Sequence, residues 1–371
     1  MRYYIIAGEA SGDLHGSNLI KGLAAVDRDA AFRFWGGDLM LSASGDRGTL
    51  VRHYKEGAVM GIGDVLAKAG KLLGNIRFCK KDIEGWNPDV VILIDYPGFN
   101  LNVAEFCHKK GFKVFYYIPP KTWASRKGRN AKLRRFVDKV FIVFPFEIPF
   151  FTENRIPFIY KGNPLLDAID GHKYGRLCEK PYIALLAGSR KGEISRMMPV
   201  CMQVADRLDD YEIIIAGAPS RSAADYEPYI AGRKNVRLIF GRTYDILKYA
   251  DAAIINSGTA SLEAALTGTP QVVCWSTSKF NYWIAVHVLK IQDNVKYISL
   301  GNLCIDKPAF RELIQDDFTV DAVTDEVKRL TEDTAYREAM KRDYAAIRES
   351  LGGRGASSAV AEAMVKELLH V

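Results

Sequence analysis

Short uninterrupted apolar runs recur along this chain, and longer stretches with apolar positions three or four residues apart lie between them. Tyr3–Ala7, Val90–Ile94, Val114–Ile118 and Val140–Val143 are runs of the first kind. A strand covered on both faces has no solvent side to make polar, so such runs predict parallel strands inside a sheet. Asp13–Val26 carries the helical spacing. The pattern then restarts with Tyr182–Leu186, Glu212–Ala216, Val236–Ile239, Ala252–Ile255 and Gln271–Trp275. Two βα series in succession predict an α/β chain of two doubly wound, Rossmann-like domains.

Gly162, Pro164, Gly171, Gly175 and Pro181 punctuate the stretch between the two series. The expected domains are therefore 1–165 and 175–345. Gly352-Gly353-Arg354-Gly355 sets off a last amphipathic helix within 346–371. That helix is expected to pack back on the first domain.

The 371 residues suit two domains of ordinary size, and 48% apolar residues can fill cores without a disulfide or metal staple. The six cysteines are widely spaced and form no C-x-x-C pair, which fits a reducing compartment. The opening apolar run is too short for a secretory signal, and no 18-residue apolar stretch follows. The chain is expected neither to be exported nor to span a membrane. Net charge is +7, unevenly spread: from Lys121 to Arg135 there are seven basic residues, Lys121, Arg126 and Arg129 among them, and no acidic one. Such a run suits phosphate or anionic headgroups, and a solvated helix face explains it equally well.

Ligands of open α/β sheets bind beyond the carboxyl ends of strands, and with two such domains the expected site is the cleft between them. Four loops stand out. The first is Gly8-Glu9-Ala10-Ser11-Gly12-Asp13. It is not G-x-G-x-x-G, so a dinucleotide site is disfavoured. A helix N-cap at Asp13 explains that residue but not Glu9, and His15 reads as a helix-surface histidine. In the second, Asp95 directly follows Val90–Ile94, ahead of Tyr96-Pro97-Gly98. A carboxylate there, its pKa raised by burial, suits a general base; a turn-capping aspartate is the plainer alternative. In the third, Gly188-Ser189-Arg190 opens a helix, whose N–H groups and Arg190 suit a diphosphate. In the fourth, Ser257-Gly258-Thr259 opens another, with Glu263 one turn in, placed for ribose hydroxyls.

Val65, Leu66, Ala69, Leu72, Leu73 and Ile76 follow helical spacing beside Lys68, Lys71 and Arg77. An interfacial helix has this form, but so does an amphipathic helix on its own sheet, which explains it better. The six histidines show no ligand spacing, and the D-x-D letters occur only at Asp27-Arg28-Asp29, at a helix end. No metal and no G-x-S-x-G hydrolase elbow are expected.

With these residues in hand the chain resembles the lipid-A-disaccharide synthase family. The matching segments are Gly8–Asp13, Met60-Gly61-Ile62, Asp95–Asn100, Trp123-Ala124, Pro145-Phe146-Glu147, Gly162–Leu165, Gly188-Ser189-Arg190, Ser257–Ala260 with Glu263, and Asn302-Leu303 followed by Glu312 and Gln315. They run in the family's order over nearly the whole chain. Departures include Ala187, Asn163 and Gly301, where the family usually has proline, histidine and proline.

The resemblance implies a metal-independent, inverting GT-B glycosyltransferase without a cofactor, its two domains facing across a cleft. The donor would be UDP-2,3-diacylglucosamine and the acceptor 2,3-diacylglucosamine 1-phosphate (lipid X). The products would be the β-1,6-linked lipid A disaccharide 1-phosphate and UDP. Catalytic roles would fall to Asp95, Arg190 and, as second choice for the base, Glu9. UDP would lie on Gly188, Ser189, Arg190, Ser257, Gly258, Thr259, Glu263 and, by resemblance, Asn302. Met60, Ile62, Leu66, Leu73, Lys121, Arg126 and Arg129 would face the acceptor and an anionic membrane surface. The implied location is the cytoplasmic face of the Gram-negative inner membrane, held peripherally. No nucleic-acid partner is expected, and a homodimer stays open. Rivals are another UDP-sugar GT-B enzyme, such as a peptidoglycan-type GlcNAc transferase or an epimerase, and a non-catalytic nucleotide-sugar-binding protein.

Overall fold

The computed structural model describes residues 1–57, 65–123, 128–278, 282 and 296–369, without the side chains of residues 57 and 65–69. Met60, Ile62 and Arg126 lie outside the described residues, as does the side chain of Leu66. The chain divides into two compact units, Met1–Asp167 with Gly352–Val371, and Ala168–Leu351.

The first unit is built on seven parallel strands: β1 (Arg2–Ala7), β2 (Ala31–Gly36), β3 (Gly48–His53), β4 (Val90–Ile94), β5 (Lys113–Tyr117), β6 (Lys139–Ile142) and β7 (Phe158–Tyr160). Their order across the sheet is β3-β2-β1-β4-β5-β6-β7. Tyr4 and Ile6 of β1 join Val91 and Leu93 of β4 in one core, completed by Ile76, Cys79 and Ile83 of the helix Val65–Trp86. The helix Ala10–Val26 covers the opposite face. The last helix, Ala356–Leu369, packs on it so closely that a Cβ at Gly22 would lie 2.9 Å from Ala361 Cβ. Asp167 caps the start of that last helix, accepting from Gly355 N (2.6 Å) and Ser357 N (2.9 Å).

The second unit holds six parallel strands: β8 (Tyr182–Leu186), β9 (Glu212–Gly217), β10 (Val236–Phe240), β11 (Ala252–Asn256), β12 (Gln271–Trp275) and β13 (Glu312–Ile314). Their order is β10-β9-β8-β11-β12-β13. The helix Thr334–Ser350 belongs here: Tyr344 Oη donates to Thr269 O (3.0 Å) and accepts from Gln271 Nε2 (3.2 Å), both buried. The unit therefore runs to Leu351, past the expected 345.

Four of the strands, β2, β3, β7 and β13, are not among the runs read from the sequence. β3, β7 and β13 are sheet edges, where one side of the strand has no partner. β2 is interrupted by Arg33, which is neutralised in place: Nε and Nη2 reach the two oxygens of Asp82 at 2.9 and 2.6 Å. β5 ends at Tyr117 because Ile118 turns left-handed (φ 56°). The first helix starts at Ala10, one turn before Asp13.

Strand order reverses between β1 and β4 in the first sheet and between β8 and β11 in the second. Connections leaving such a pair go to opposite faces, which opens a crevice at their carboxyl ends. The four loops singled out by sequence are the loops after these four strands.

Candidate functional site

In the first unit, β1 and β4 end level, Ala7 beside Ile94. Glu9 and Asp95 follow them, and both line one small pocket with Gly8, Gly12 and Tyr96. Both carboxylates are exposed. Burial of Asp95, expected from its strand-end position, is not found. The chain leaves β4 through two successive left-handed residues, Asp95 (φ 44°) and Tyr96 (φ 47°), which turn residue 95 out of the sheet layer. Such a turn of non-glycine residues is strained and persists only where its surroundings hold it. Here they do. Buried Asn100 donates from Nδ2 to Ile94 O (3.2 Å) and Asp95 O (2.7 Å), Tyr116 Oη donates to Asp95 O (2.6 Å), and the Tyr96 ring stacks on Phe99. Gly8 leaves room for Tyr96, since a Cβ there would fall 2.4 Å from its ring.

Asp13 is not the cap of its own helix. Only 3% exposed, it reaches across to the next helix start and accepts from Gly37 N (2.7 Å), Leu39 N (3.1 Å) and Met40 N (3.1 Å). It fixes the loop and is occupied in doing so. His15 is half-buried: its Nδ1 is enclosed without a hydrogen-bond partner, and burial pushes its pKa down to about 4, leaving a neutral ring.

Next along the same sheet edge, Glu147 is a buried carboxyl that sequence reasoning left without a role. Its oxygens accept from Val143 N (3.3 Å), Phe144 N (3.2 Å) and Trp123 Nε1 (3.3 Å). Burial pushes its pKa up to about 7, against the pull of those donors. It ties the loop after β5, where the basic run begins, to the turn after β6. Asn163 completes this edge, its Nδ2 donating to Val143 O (3.0 Å). Lys121 is exposed and Arg129 half-buried at the surface of this region.

In the second unit, β8 runs into Gly188 (φ 100°), where a Cβ would sit 2.6 Å from both Asn256 Nδ2 and Glu193 Oε2. Arg190 stands at the N-cap position of the helix Lys191–Ala205, its guanidinium exposed. Its loop amides are occupied: Glu193 Oε2 accepts from Ser189 N (3.0 Å) and Arg190 N (3.1 Å), and Oε1 from Arg190 Nη1 (3.1 Å). The neighbouring helix start is open. Gly258 caps Thr259–Thr267 with no side-chain hydrogen bond and no acid in the first turn, and Thr259 is exposed. Ser257 Oγ donates to Ile298 O (3.2 Å).

Glu263 is partly buried, and its carboxyl is pushed up to about 7 by burial, with the Tyr244 hydroxyl pulling the other way. Asn302 is fully buried, and its Nδ2 donates to Phe310 O (3.0 Å) and Glu312 Oε1 (2.9 Å). It clamps Phe310 and Glu312 to the start of the helix Leu300–Ile305. Glu312 in turn accepts from Ile298 N (2.9 Å) and Ser299 N (3.0 Å), which fixes the carbonyl that Ser257 bonds.

On the helix Val65–Trp86, Ile76, Cys79 and Ile83 are buried while Leu72, Leu73 and Phe78 are exposed. The described part thus has both a core face and an apolar outer one. No described helix is long and apolar enough to cross a membrane. Among the described residues no group of three or more His, Cys, Asp or Glu is placed to hold a metal ion.

A profile of the lipid-A-disaccharide synthetase family matches residues 3–365. The lipid-A-disaccharide synthase of Geobacter metallireducens is 35% identical, the match covering 99% of this chain and 97% of that one. That of Nitrosococcus oceani is 32% identical, covering 98% and 95%. Among solved structures, the UDP-GlcNAc 2-epimerase of Neisseria meningitidis superposes with a TM-score of 0.71 at 13% identity, covering 99% of this chain and all of that one. The glycotransferase of kitacinnamycin gives 0.66 at 15%, covering 99% of each. At those identities the structural likeness bears on the fold alone.

Proposed function

The chain belongs to the lipid-A-disaccharide synthase family, glycosyltransferases of GT-B fold, and on that premise we propose how its residues divide the reaction between UDP-2,3-diacylglucosamine and lipid X. Asp95 is the general base. It takes the proton of the acceptor 6-hydroxyl as that oxygen attacks the anomeric carbon of the donor, and the bond to UDP breaks on the opposite face. The configuration inverts, and the β-1,6-linked disaccharide 1-phosphate and UDP leave. Proton transfer by a positioned carboxylate is worth about 10²–10⁴-fold in rate.

The observation that carries this assignment is the clamped left-handed turn. Three hydrogen bonds to the carbonyls of Ile94 and Asp95 hold a strained strand end that presents an exposed carboxylate beside Glu9. A capping aspartate would need no such support. Glu9 is the alternative base in the same pocket. UDP lies on the second unit: its diphosphate on Arg190, Ser189 and the uncapped amides at Thr259, its ribose on Glu263. Arg190 and the helix start offset charge on the departing diphosphate, with no metal required. Asn302 acts through Glu312 and the 298–299 backbone on Ser257.

Lys121, Arg129 and the exposed Leu72, Leu73 and Phe78 of the first unit serve the phosphate and acyl chains of the acceptor and an anionic membrane surface. The enzyme would then be peripheral at the cytoplasmic face of the inner membrane. The test is disaccharide formation from the two acylated substrates by Asp95→Ala and Glu9→Ala, with co-sedimentation on phosphatidylglycerol vesicles beside it. Loss of turnover in Asp95→Ala with UDP binding intact is the expected result. Loss in Glu9→Ala alone would move the base.

A further inference from the structure

We propose that Glu193 is a built-in stand-in for the donor diphosphate, a carboxylate that holds the phosphate loop in its bound shape and must be displaced when UDP arrives. The proposal rests on the donor assignment above. Three donors there suit a diphosphate: the Ser189 and Arg190 amides and the Arg190 guanidinium. In this structure all three are taken by one side chain, at 3.0, 3.1 and 3.1 Å.

The bond to the Arg190 amide is a capping box, Glu193 being the third residue of its helix; the bonds to the Ser189 amide and the Arg190 guanidinium go beyond one. The partner loop at Gly258-Thr259 opens its helix with no side-chain cap and no first-turn acid. Of two helix starts that flank the same switch point, one is open and one is stoppered by an anion. Gly188 lets Glu193 reach the loop, since a Cβ there would fall 2.6 Å from Glu193 Oε2. Arg190, by contrast, is mostly exposed, its guanidinium paired with Glu193 at the surface.

A competing carboxylate lowers the affinity of what it mimics. Removing its charge should therefore tighten UDP binding while weakening the helix start. The affinity gain expected is about three- to tenfold, the scale of one charge-assisted hydrogen bond in a solvent-exposed setting. A purely structural cap predicts the opposite sign, because a frayed loop binds less well.

The experiment is calorimetric titration of UDP into the whole enzyme, as wild type, Glu193→Gln, Glu193→Asp and Arg190→Ala, with a thermal melt of each. Glu193→Asp withdraws the carboxylate by one methylene and serves if Glu193→Gln does not fold. Tighter UDP binding in either Glu193 variant, with a melting temperature equal to or below wild type, is the expected result. Unchanged or weaker binding in the folded Glu193 variants, with Arg190→Ala also weakened, overturns the stand-in and leaves the donor site standing. Arg190→Ala binding UDP as wild type does would instead overturn the donor assignment itself.

Discussion

Asn100→Ala should cost this enzyme rate as well as stability, and the reason lies in the turn after β4. Two left-handed non-glycine residues there, Asp95 and Tyr96, carry about 1–2 kcal/mol of strain each. Against that stand three buried or half-buried hydrogen bonds to the carbonyls of Ile94 and Asp95, worth about 0.5–1.5 kcal/mol each. The two sums are of similar size, so the turn is held with little to spare. Asn100 supplies two of the three bonds. Without it the remaining Tyr116 bond is smaller than the strain, and residue 95 relaxes towards an ordinary backbone conformation. The loss of a fully buried, bonded side chain should destabilise the protein by about 2–3 kcal/mol, or about 4–12 °C in a thermal melt. A shift of Asp95 by about 1 Å should cost about 10–100-fold in kcat. The KM for the donor should change little. The control is Asn102→Ala on the same helix, whose exposed side chain donates only to Gly98 O (2.9 Å) and which should leave both quantities as they are. An Asn100→Ala enzyme that melts early but turns over at the wild-type rate would refute the reasoning, since the clamp would then serve the fold and not the base.

Three further outcomes follow from the same geometry. Glu263 has its carboxyl raised to about 7 from an ordinary 4.5, so the folded protein binds its proton more tightly than the unfolded chain; stability should fall as pH rises from about 5 to 8, and a Glu263→Gln melt series should be flatter. If ribose hydroxyls donate to that carboxylate, UDP binding should strengthen over the same window in the wild type and not in the variant. Gly188→Ala puts a Cβ into a left-handed position 2.6 Å from Asn256 Nδ2; UDP affinity should drop by about tenfold or more, read by calorimetry. Asp167→Ala uncaps the last helix at Gly355 and Ser357, which should cost about 1–2 kcal/mol and speed amide exchange along Ala356–Leu369.

Much of this was legible in the chain because buried parallel strands write themselves as continuous apolar runs. Val90–Ile94, Tyr182–Leu186 and Gln271–Trp275 have the predicted bounds. Phe158–Tyr160 is apolar throughout but only three residues long, too short to stand out as a run. The four candidate loops are legible because each stands directly after a readable strand. What sequence could not supply was which polar groups are already engaged. Asp13, read as a cap of its own helix, is spent on the start of another, and Asn302 is spent on Glu312. Glu193 is one acid among polar letters and Glu147 one among apolar ones, and only their distance to backbone N–H groups distinguishes them. Asp95 is exposed on a strained turn, not buried as its strand-end position suggests. The run Pro97-Gly98 signalled a turn, but nothing in the letters signals two consecutive left-handed residues.

The most direct test is the formation of disaccharide 1-phosphate from UDP-2,3-diacylglucosamine and lipid X by wild type and by Asp95→Ala, each with and without EDTA. The account predicts product from the wild type whether or not the chelator is present, and a loss of at least about 10²-fold in Asp95→Ala with UDP affinity unchanged. Near-wild-type turnover by Asp95→Ala would contradict it and shift proton transfer to Glu9.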